Sequence, residues 1–280
     1  MSFQIRPATR KELDIMVEWA AKEGWNPGLY DADAFYATDP KGFLIGFLDN
    51  QPIACISAVS YGQSFGFLGF YITKKEFRGQ GYGIQVWNKA ISYLKTQNIG
   101  LDGVVEQQNN YKKSGFELAH NNARYQFNSR KFSQDDPNIV PANAVTFDDL
   151  NQYDNKFFPV DRRTFLSEWI KQPKSTTFVY TVDNKICGYG MIRKCRTGDK
   201  IGPLFADNFE IADKLFKTLV SSIEENSPVF LDIPEINPNA VTLVGLHKME
   251  KVFATARMYT KKFPELPTDR IYGVTTFELG

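Results

Sequence analysis

The sequence predicts an α/β (α+β) fold built from two tandem domains, and three observations support that fold class. The chain has 280 residues, enough for two domains of ordinary size. Residues 65–95 indicate an apolar strand, a glycine-rich turn and an amphipathic helix in direct succession. The pattern of residues 42–59, a strand, an Asp-Asn turn and a strand, recurs at 176–192, so the order of elements repeats in the second half.

The elements of the first half follow from local signals. Thr9 and Glu12 form a capping box that predicts the start of the first helix. Asp49 and Asn50 form the turn of a hairpin. The predicted elements, in chain order, are a strand at 4–6, a helix starting at 9, a helix at 31–38, strands at 41–49, 52–60 and 65–73, a helix at 84–95, a strand at 100–105, a helix at 109–114 and a strand at 118–128.

The second half repeats this order after a polar segment with two prolines. The predicted domains are 1–130 and 144–280, with a linker at 131–143. The predicted elements of the second half are helices at 162–171, 209–223 and 238–246, a hairpin at 176–192, and strands at 200–205, 229–233, 252–260 and 272–279.

Composition limits the classes of function. The formal net charge is +1, from 33 Lys and Arg against 32 Asp and Glu, so we expect neither nucleic acid nor a membrane surface as a partner. The N-terminus lacks a signal-peptide core, and no apolar run approaches the ~20 residues of a spanning helix, which predicts a cytoplasmic protein. Cys55, Cys187 and Cys195 form no CxxC pair and are interpreted as reduced thiols, with no metal expected.

The turn in the middle of the first half combines an arginine with three alternating glycines, Arg78-Gly79-Gln80-Gly81-Tyr82-Gly83. Glycine permits positive φ and a close approach to a ligand, and amides at a helix N-terminus bind anions. No Lys-Ser or Lys-Thr follows Gly83, which excludes a Walker A loop, and the GxGxG spacing differs from the GxGxxG of a Rossmann loop. A plain strand-to-helix connection is the alternative interpretation.

This Arg-x-x-Gly-x-Gly pattern resembles the pyrophosphate loop of the GNAT acetyltransferase superfamily, with Lys75 where the family commonly has proline. The whole chain also resembles a GNAT subgroup with an appended, degenerate acetyltransferase-like domain, through EGWNPG, GFLGFYI, LDGVV, IGPLFADN and YGVTTFELG. The resemblance implies two domains, each a mixed, mostly antiparallel twisted sheet flanked by helices, and acetyl-CoA as cosubstrate. The implied CoA-binding residues are Tyr71, Ile72, Thr73, Arg78, Gly79, Gln80, Gly81, Tyr82 and Gly83, the first three through their backbone.

A second signature at residues 111–116 resembles the family's Tyr-x-x-x-Gly-Phe motif after the fifth strand. It implies that Tyr111 returns a proton to the departing CoA thiolate, because a tyrosine with an unperturbed pKa of about 10 is protonated at neutral pH. A tyrosine that only packs is the alternative. Val104 stands where the family has Asn, and the amides Gln107, Gln108, Asn109 and Asn110 cluster nearby instead. Asn109 and Asn110 are the candidates for an amide contact with CoA, with the two glutamines as alternatives.

The sequence defines the general base and the acceptor site less clearly. Glu106, at the end of the fifth strand, is the candidate base, with Glu76 and a water relay as alternatives. Trp25, Asn26 and Tyr30, between the first two helices, are the candidate acceptor contacts, with ordinary core packing as the alternative.

The second half lacks an equivalent anion site. Its matching segment, 203–207, has no arginine, and Asp207 puts a negative charge where an anion would bind. We therefore predict a non-catalytic second half that helps to shape the acceptor pocket. The predicted protein is an acetyl-CoA-dependent N-acetyltransferase, a monomer or homodimer, in which a primary amine of a small or amino-acid-like acceptor attacks directly in a ternary complex. A non-enzymatic acyl-CoA-binding or regulatory module and a protein (lysine or N-terminal) acetyltransferase are the alternatives.

Overall fold

The computed structural model describes residues 2–95, 97–133 and 136–280. The helices are α1 Arg10–Lys22, α2 Asp31–Thr38, α3 Tyr82–Leu94, α4 Gln108–Lys113, α5 Phe147–Asp154, α6 Arg163–Trp169, α7 Phe209–Ser221 and α8 Pro238–Leu246. The strands are β1 Phe3–Pro7, β2 Phe43–Leu48, β3 Gln51–Tyr61, β4 Phe65–Thr73, β5 Asn98–Val104, β6 Glu117–Asn128, β7 Ile139–Pro141, β8 Ser175–Val182, β9 Lys185–Lys194, β10 Asp199–Ala206, β11 Pro228–Pro234, β12 Glu250–Tyr259 and β13 Ile271–Gly273.

Local signals explain how several helices begin. The predicted capping box of α1 is present, because Thr9 Oγ1 accepts the Glu12 amide at 3.3 Å and Glu12 Oε2 accepts the Thr9 amide at 2.8 Å. The Asn208 side chain caps α7 by accepting a first-turn amide at 3.0 Å. The N-cap of α3 is instead Gly81, in the left-handed conformation and without a side-chain cap. The first amides of α3 therefore remain available to an anion.

The strands of the described residues form one continuous sheet, in the order β1-β2-β3-β4-β5-β12-β6-β11-β10-β9-β8-β7, with β13 paired to β10. Neighbouring strands are antiparallel except β4 with β5 and β10 with β11. The two halves exchange their last long strands. The second half's β12 lies between β5 and β6, and the first half's β6 pairs with β11. The predicted returning strand at 118–128 thus borders only strands of the second half.

Two predicted segments differ from the structure. The predicted linker at 131–143 contains β7, which pairs with β8, while residues 134 and 135 lie outside the described residues. The predicted last strand at 272–279 ends after β13, because Thr276 Oγ1 accepts the Glu278 amide at 3.2 Å and turns the chain. The domain boundaries at 130 and 144 stay predictions, since a sheet that runs through both halves does not mark them.

The two halves share buried side chains as well as strands. Phe35 on α2 stacks on Trp169 on α6, with ring centroids 5.9 Å apart, and both side chains are fully buried. Next to them, Arg193 Nε on β9 binds Asp31 Oδ1 on α2 at 2.9 Å in a buried ion pair. Removing one partner of such a pair typically costs about 3–5 kcal/mol, because the other charge stays buried. These contacts fix the second half against the helices of the first half.

Candidate active site

The pairing of β4 with β5 ends halfway along both strands. Their parallel register stops at Leu68 opposite Leu101. Just beyond it, a β-bulge between Gly69 and Ile72 interrupts the pairing of β4 with β3. Phe70, inside the bulge, has a φ of 46°, a conformation that costs a non-glycine residue roughly 1–2 kcal/mol. The result is a gap between the carboxyl ends of two parallel strands, a common place for ligands in such sheets.

The glycine-rich turn, residues 78–83, connects β4 to α3 with two glycines in the left-handed conformation. Gly79 and Gly81 have φ of 75° and 82°, and a Cβ at either position would meet no atom within 4 Å. Both glycines therefore border open space. A Cβ at Gly83 would lie 2.9 Å from Thr73 Oγ1, so β4 leaves room only for glycine there. This geometry suits an anion such as a pyrophosphate.

Arg78 is held at one side of this turn. Its Nε donates to the carbonyl oxygen of Thr73 at 2.8 Å, and its Nη2 donates to Glu23 Oε1 at 2.6 Å. The Arg78 side chain is 46% exposed, and an ion pair in contact with water contributes little to stability. A phosphate oxygen can therefore replace Glu23 as the partner of Arg78 at small cost.

A cleft of about 650 Å³ joins the gap and the turn. We use the term cleft for the space bounded by the following residues. From the first half it is lined by Glu23, Trp25, 68–73, Phe77, Arg78, Gly79, Gly81, Gly83, Ile84, Trp87, 101–104, Gln107, Tyr111 and Arg124. From the second half it is lined by Phe253, Thr255, Phe277 and Glu278. The exchanged strand β12 and the C-terminal segment therefore form one wall of the cleft.

Most of the predicted CoA-binding residues line this cleft. They are Tyr71, Ile72, Thr73, Arg78, Gly79, Gly81 and Gly83. Two residues of the turn point elsewhere. Gln80 Nε2 donates to the carbonyl oxygen of Glu76 at 2.9 Å, and the Tyr82 ring packs on Phe3 with centroids 4.8 Å apart. The side chains of Gln80 and Tyr82 thus stabilise the turn, and a contact with CoA is left to their backbone.

Tyr111 is buried at the side of the cleft. It lies 5.6 Å from Trp87, ring to ring, with the planes at 24°. A Cβ at Gly103 would overlap the Tyr111 ring, so glycine on β5 makes room for it. Burial, with a smaller contribution from Tyr71, raises the pKa of Tyr111 to about 12. Tyr111 consequently keeps its proton at neutral pH.

Three predicted site residues near α4 lie outside the cleft. Glu106, Asn109 and Asn110 are exposed. The amide that lines the cleft is Gln107, whose Oε1 accepts a hydrogen bond from Asn110 Nδ2 at 2.7 Å. Asn110 therefore orients Gln107, and the assignment of Glu106 as the general base stays a prediction.

Of the three predicted acceptor contacts, Trp25 lines the cleft and the other two have different roles. Trp25 lines the cleft, and its carbonyl oxygen accepts a hydrogen bond from Arg124 Nη1 at 2.6 Å. Asn26 binds the backbone of Thr197 through both ends of its amide, at 2.9 and 3.0 Å, and so fixes the loop to the second half. Tyr30 is the N-cap of α2 and does not line the cleft.

Several charged residues of the cleft were not identified from the sequence. Arg124 on β6 is buried and holds Asp232 in a two-pronged ion pair at 2.6 and 2.8 Å. Asp102 on β5 is held in the same way by Arg257 on β12 at 2.7 and 2.6 Å. Glu278 lies in the ending YGVTTFELG, to which the sequence draws attention only through its resemblance to the GNAT subgroup. A charged residue inside a largely apolar strand is a signal that marks Asp102 on β5, whereas Arg124 lies in the polar strand β6 and lacks that signal.

The second half fills its equivalent gap with its own chain. β10 and β11 are parallel from Asp199 to Ile201 and then part, as β4 and β5 do. There β13 pairs with β10. Where the glycine-rich turn would be, Asp207 accepts hydrogen bonds from the Tyr153 hydroxyl at 2.7 Å and from Arg270. These contacts leave no equivalent of the cleft among the described residues of the second half.

Membrane-spanning helices and clusters of metal-ligating side chains are both absent from the described residues. None of the helices there combines the length and the apolar character that a membrane span requires. The same residues contain no group of three or more His, Cys, Asp and Glu side chains that could hold a metal ion. Cys55 and Cys195 are buried, Cys187 is half-buried, and all three are free thiols.

Comparisons with known proteins agree with this geometry. A family model described as "Acetyltransferase (GNAT) family" matches residues 11–116, and one described as "Acetyltransferase (GNAT) domain" matches residues 150–273. Holothin acyltransferase of Pseudoalteromonas sp. (strain SANK 73390) is 30% identical over 277 residues, which are 98% of this chain and 94% of that protein. The uncharacterized N-acetyltransferase YitH of Bacillus subtilis (strain 168) is 24% identical over 86% of each chain.

Solved structures share the architecture. A candidate acetyltransferase from Pyrococcus horikoshii has a TM-score of 0.85 at 23% identity and covers 99% of this chain and 96% of its own. A tandem GNAT protein from the clavulanic acid biosynthesis pathway has a TM-score of 0.65 at 9% identity, with 92% and 98% covered. At these identities the likeness concerns the fold alone.

Proposed function

The chain belongs to the GNAT acetyltransferase family, and from that premise we propose that it transfers an acetyl group from acetyl-CoA to the primary amine of a small molecule. The observation that carries the proposal is the cleft, in which the β4–β5 gap, the glycine-rich turn and one wall from the second half meet. Its volume of about 650 Å³ is typical of small-molecule sites.

The first half provides the groups that bind acetyl-CoA. The open amides of Gly79 and Gly81, the N-terminus of α3 and the Arg78 guanidinium bind the pyrophosphate. The backbone of Tyr71 and Ile72, at the bulge, binds the pantetheine arm and the thioester carbonyl. Hydrogen bonds to that oxygen stabilise the charge that develops on it during attack.

Tyr111 is the general acid of the proposed reaction. Its raised pKa keeps the hydroxyl protonated until the thiolate leaves. The Trp87 ring and the backbone of Gly103 hold the phenol in place, so its orientation costs little entropy at the moment of proton transfer. A positioned acid of this kind contributes roughly 10²–10⁴-fold to the rate.

The walls of the cleft favour a small acceptor over a peptide. Trp25, Phe253 and Phe277 provide aromatic surface from both halves, and Arg124 and Glu278 provide polar groups beside it. Because β12 and the C-terminal segment form one side of the cleft, an extended peptide would have to displace them. The whole-chain relative is named for holothin, and we therefore include that compound among the acceptors to be tested.

The test is release of CoA thiol from acetyl-CoA with panels of small primary amines including holothin, free amino acids and peptides. Mass spectrometry of the product locates the acetyl group. Reactions without acceptor provide the control for hydrolysis and for the protein's own thiols. We expect turnover of at least one small amine and none of the peptides. Turnover of peptides alone, or of no amine by a protein that binds CoA, would overturn the proposal.

A further inference from the structure

Glu278 is only 4% exposed, yet it is one of the residues that line the cleft. Its carboxylate has no role in the chemistry derived above. Its carbonyl oxygen packs against Gly69, at the start of the β4 bulge, so closely that a Cβ at position 69 would overlap it. The C-terminal segment therefore holds Glu278 beside the strand to which the thioester is assigned.

Glu278 differs from the other deeply buried carboxylates that surround the cleft and the contact between the halves. Four aspartates there each bind an arginine through two hydrogen bonds: Asp31 with Arg193, Asp102 with Arg257, Asp154 with Arg162, and Asp232 with Arg124. Within the described part of the chain, Glu278 forms no ion pair. Its Oε2 accepts a hydrogen bond from the Thr276 hydroxyl. Among the described residues no hydrogen bond to its Oε1 is seen, and Glu278 is one of the residues that line the cleft.

An unpaired carboxylate at this depth is costly, because burial removes its hydration. The charged groups that interact with it electrostatically are Arg124 on β6, Arg193 on β9 and Lys200 on β10. Arg124 is paired with Asp232 on β11 and Arg193 with Asp31 on α2, while Asp102, paired with Arg257, also lines the cleft. Each arginine has its own aspartate. Lys200 donates to the carbonyl oxygen of Asn26 at 2.9 Å and has no carboxylate partner among the described residues.

We propose that Glu278 binds the ammonium group of the acceptor and takes one proton from it, as the general base of acetyl transfer. This inference rests on the function proposed above. A protonated amine has no lone pair with which to attack, and an unpaired carboxylate in the same cleft can both attract it and deprotonate it. The second half thereby supplies a catalytic residue, although its own equivalent of the cleft is filled.

The proton transfers balance as follows. Glu278 takes one proton from the ammonium, and the neutral nitrogen forms a bond to the thioester carbonyl carbon. The C–S bond breaks as the tetrahedral intermediate collapses, and the thiolate takes the proton of Tyr111. The nitrogen then loses its second proton, which restores Tyr111, while Glu278 releases its proton to water. The products are the amide, free CoA thiol and one proton.

Glu278→Gln tests this assignment, because the amide keeps the shape and the bond from Thr276 but cannot accept a proton. With acetyl-CoA and the best acceptor of the amine panel, we expect kcat/KM at neutral pH to fall by roughly 10²–10⁴-fold. Binding of CoA, measured by calorimetry, should change less than twofold. The deficit should shrink as the pH approaches the acceptor's own pKa, since the free amine then needs no base.

Two further variants make the result interpretable. Glu265→Gln, at an exposed carboxylate in the segment before β13, is the matched control and should retain full activity. Glu278→Asp keeps the charge and should recover part of the rate, which a purely structural role would not predict. Equal turnover by wild type and a folded Glu278→Gln protein, or a deficit that is constant with pH, would overturn the assignment. Failure of the wild type to acetylate any amine would instead overturn the proposed function itself.

Discussion

The two halves of the molecule have the same arrangement of strands and differ in what lies between the two parallel ones. Between β4 and β5 the gap opens into the cleft, and the N-cap of α3 is Gly81, which has no side-chain cap and lines the cleft. Between β10 and β11 the gap is filled by β13, and the N-cap of α7 is Asn208, whose side chain caps the helix. Beside that cap, Asp207 binds Tyr153 and Arg270.

This difference shows that the strand arrangement alone does not make a ligand site. An anion site needs helix amides without a side-chain cap and a surface free of negative charge. The first half meets both conditions by using glycine. In the second half, the polar groups that a ligand would bind are already occupied by Asn208, Asp207 and the backbone of β13.

The largest effect is expected when the open turn is filled. Gly81→Val places a branched side chain where the pyrophosphate is assigned and should weaken CoA binding by roughly 10²–10³-fold, the loss of about two charge-assisted hydrogen bonds. Gly62→Val is the matched control, because Gly62 also has positive φ and open space but lies in the β3–β4 turn. Calorimetry of the wild type should give one CoA per chain. Two equivalent CoA sites per chain, or equal CoA affinity in the two variants, would contradict the assignment of a single pyrophosphate site to the first half.

A somewhat smaller effect is expected when the proposed general acid, beside the cleft of the first half, is removed. Tyr111→Phe keeps the ring on Trp87 and removes the proton, so kcat should fall by roughly 10²-fold while the affinity for acetyl-CoA is preserved. The control is Tyr180→Phe, in the second half, which removes one 3.3 Å hydrogen bond donated by Asn138. Steady-state kinetics of the two variants measure this difference in kcat. A kcat that Tyr111→Phe leaves unchanged would reduce Tyr111 to a packing residue.

The smallest effect concerns the free energy of unfolding and its dependence on a histidine near β13, the strand that fills the gap of the second half. His120 lines a small cavity beside β13, where burial and then repulsion by Arg257 lower its pKa to about 4. The unfolded chain, with an ordinary histidine pKa near 6.5, binds the proton first, so stability should fall as pH drops from about 6.5 to about 4. His120→Gln should remove on the order of 2–3 kcal/mol of that pH dependence. Denaturant titrations across this range measure it, and identical slopes would refute the assignment.

Features set by neighbouring residues in the chain were predictable from the sequence. The capping box at Thr9, the glycine spacing of the turn and the position of Tyr111 each depend on a few consecutive residues. The family matches confirm the resemblance that these motifs suggested, together with the fold class and the assignment as an enzyme.

Features set by distant pairing were not predictable. The residue pattern of a strand does not identify the strands with which it pairs. The insertion of β12 beside β5 depends on contacts between distant residues, such as Arg257 with Asp102, which are 155 residues apart. The wall formed by Phe253, Phe277 and Glu278 depends on that insertion. Glu106 follows a site strand but is exposed, and its assignment as the general base stays a prediction.

The exchange of β6 and β12 also bears on how the protein is made. When the ribosome has completed β6, the strands that border it, β11 and β12, do not yet exist, and β5 still lacks the neighbour on one side. At typical rates of about 5–20 residues per second, the ~150 residues from β5 to β12 take on the order of 10 s to synthesise. Once β6 is made and until β11 and β12 follow, the nascent chain presents three unpaired strand edges, two on β6 and one on β5. There we expect chaperones to bind and premature association to begin.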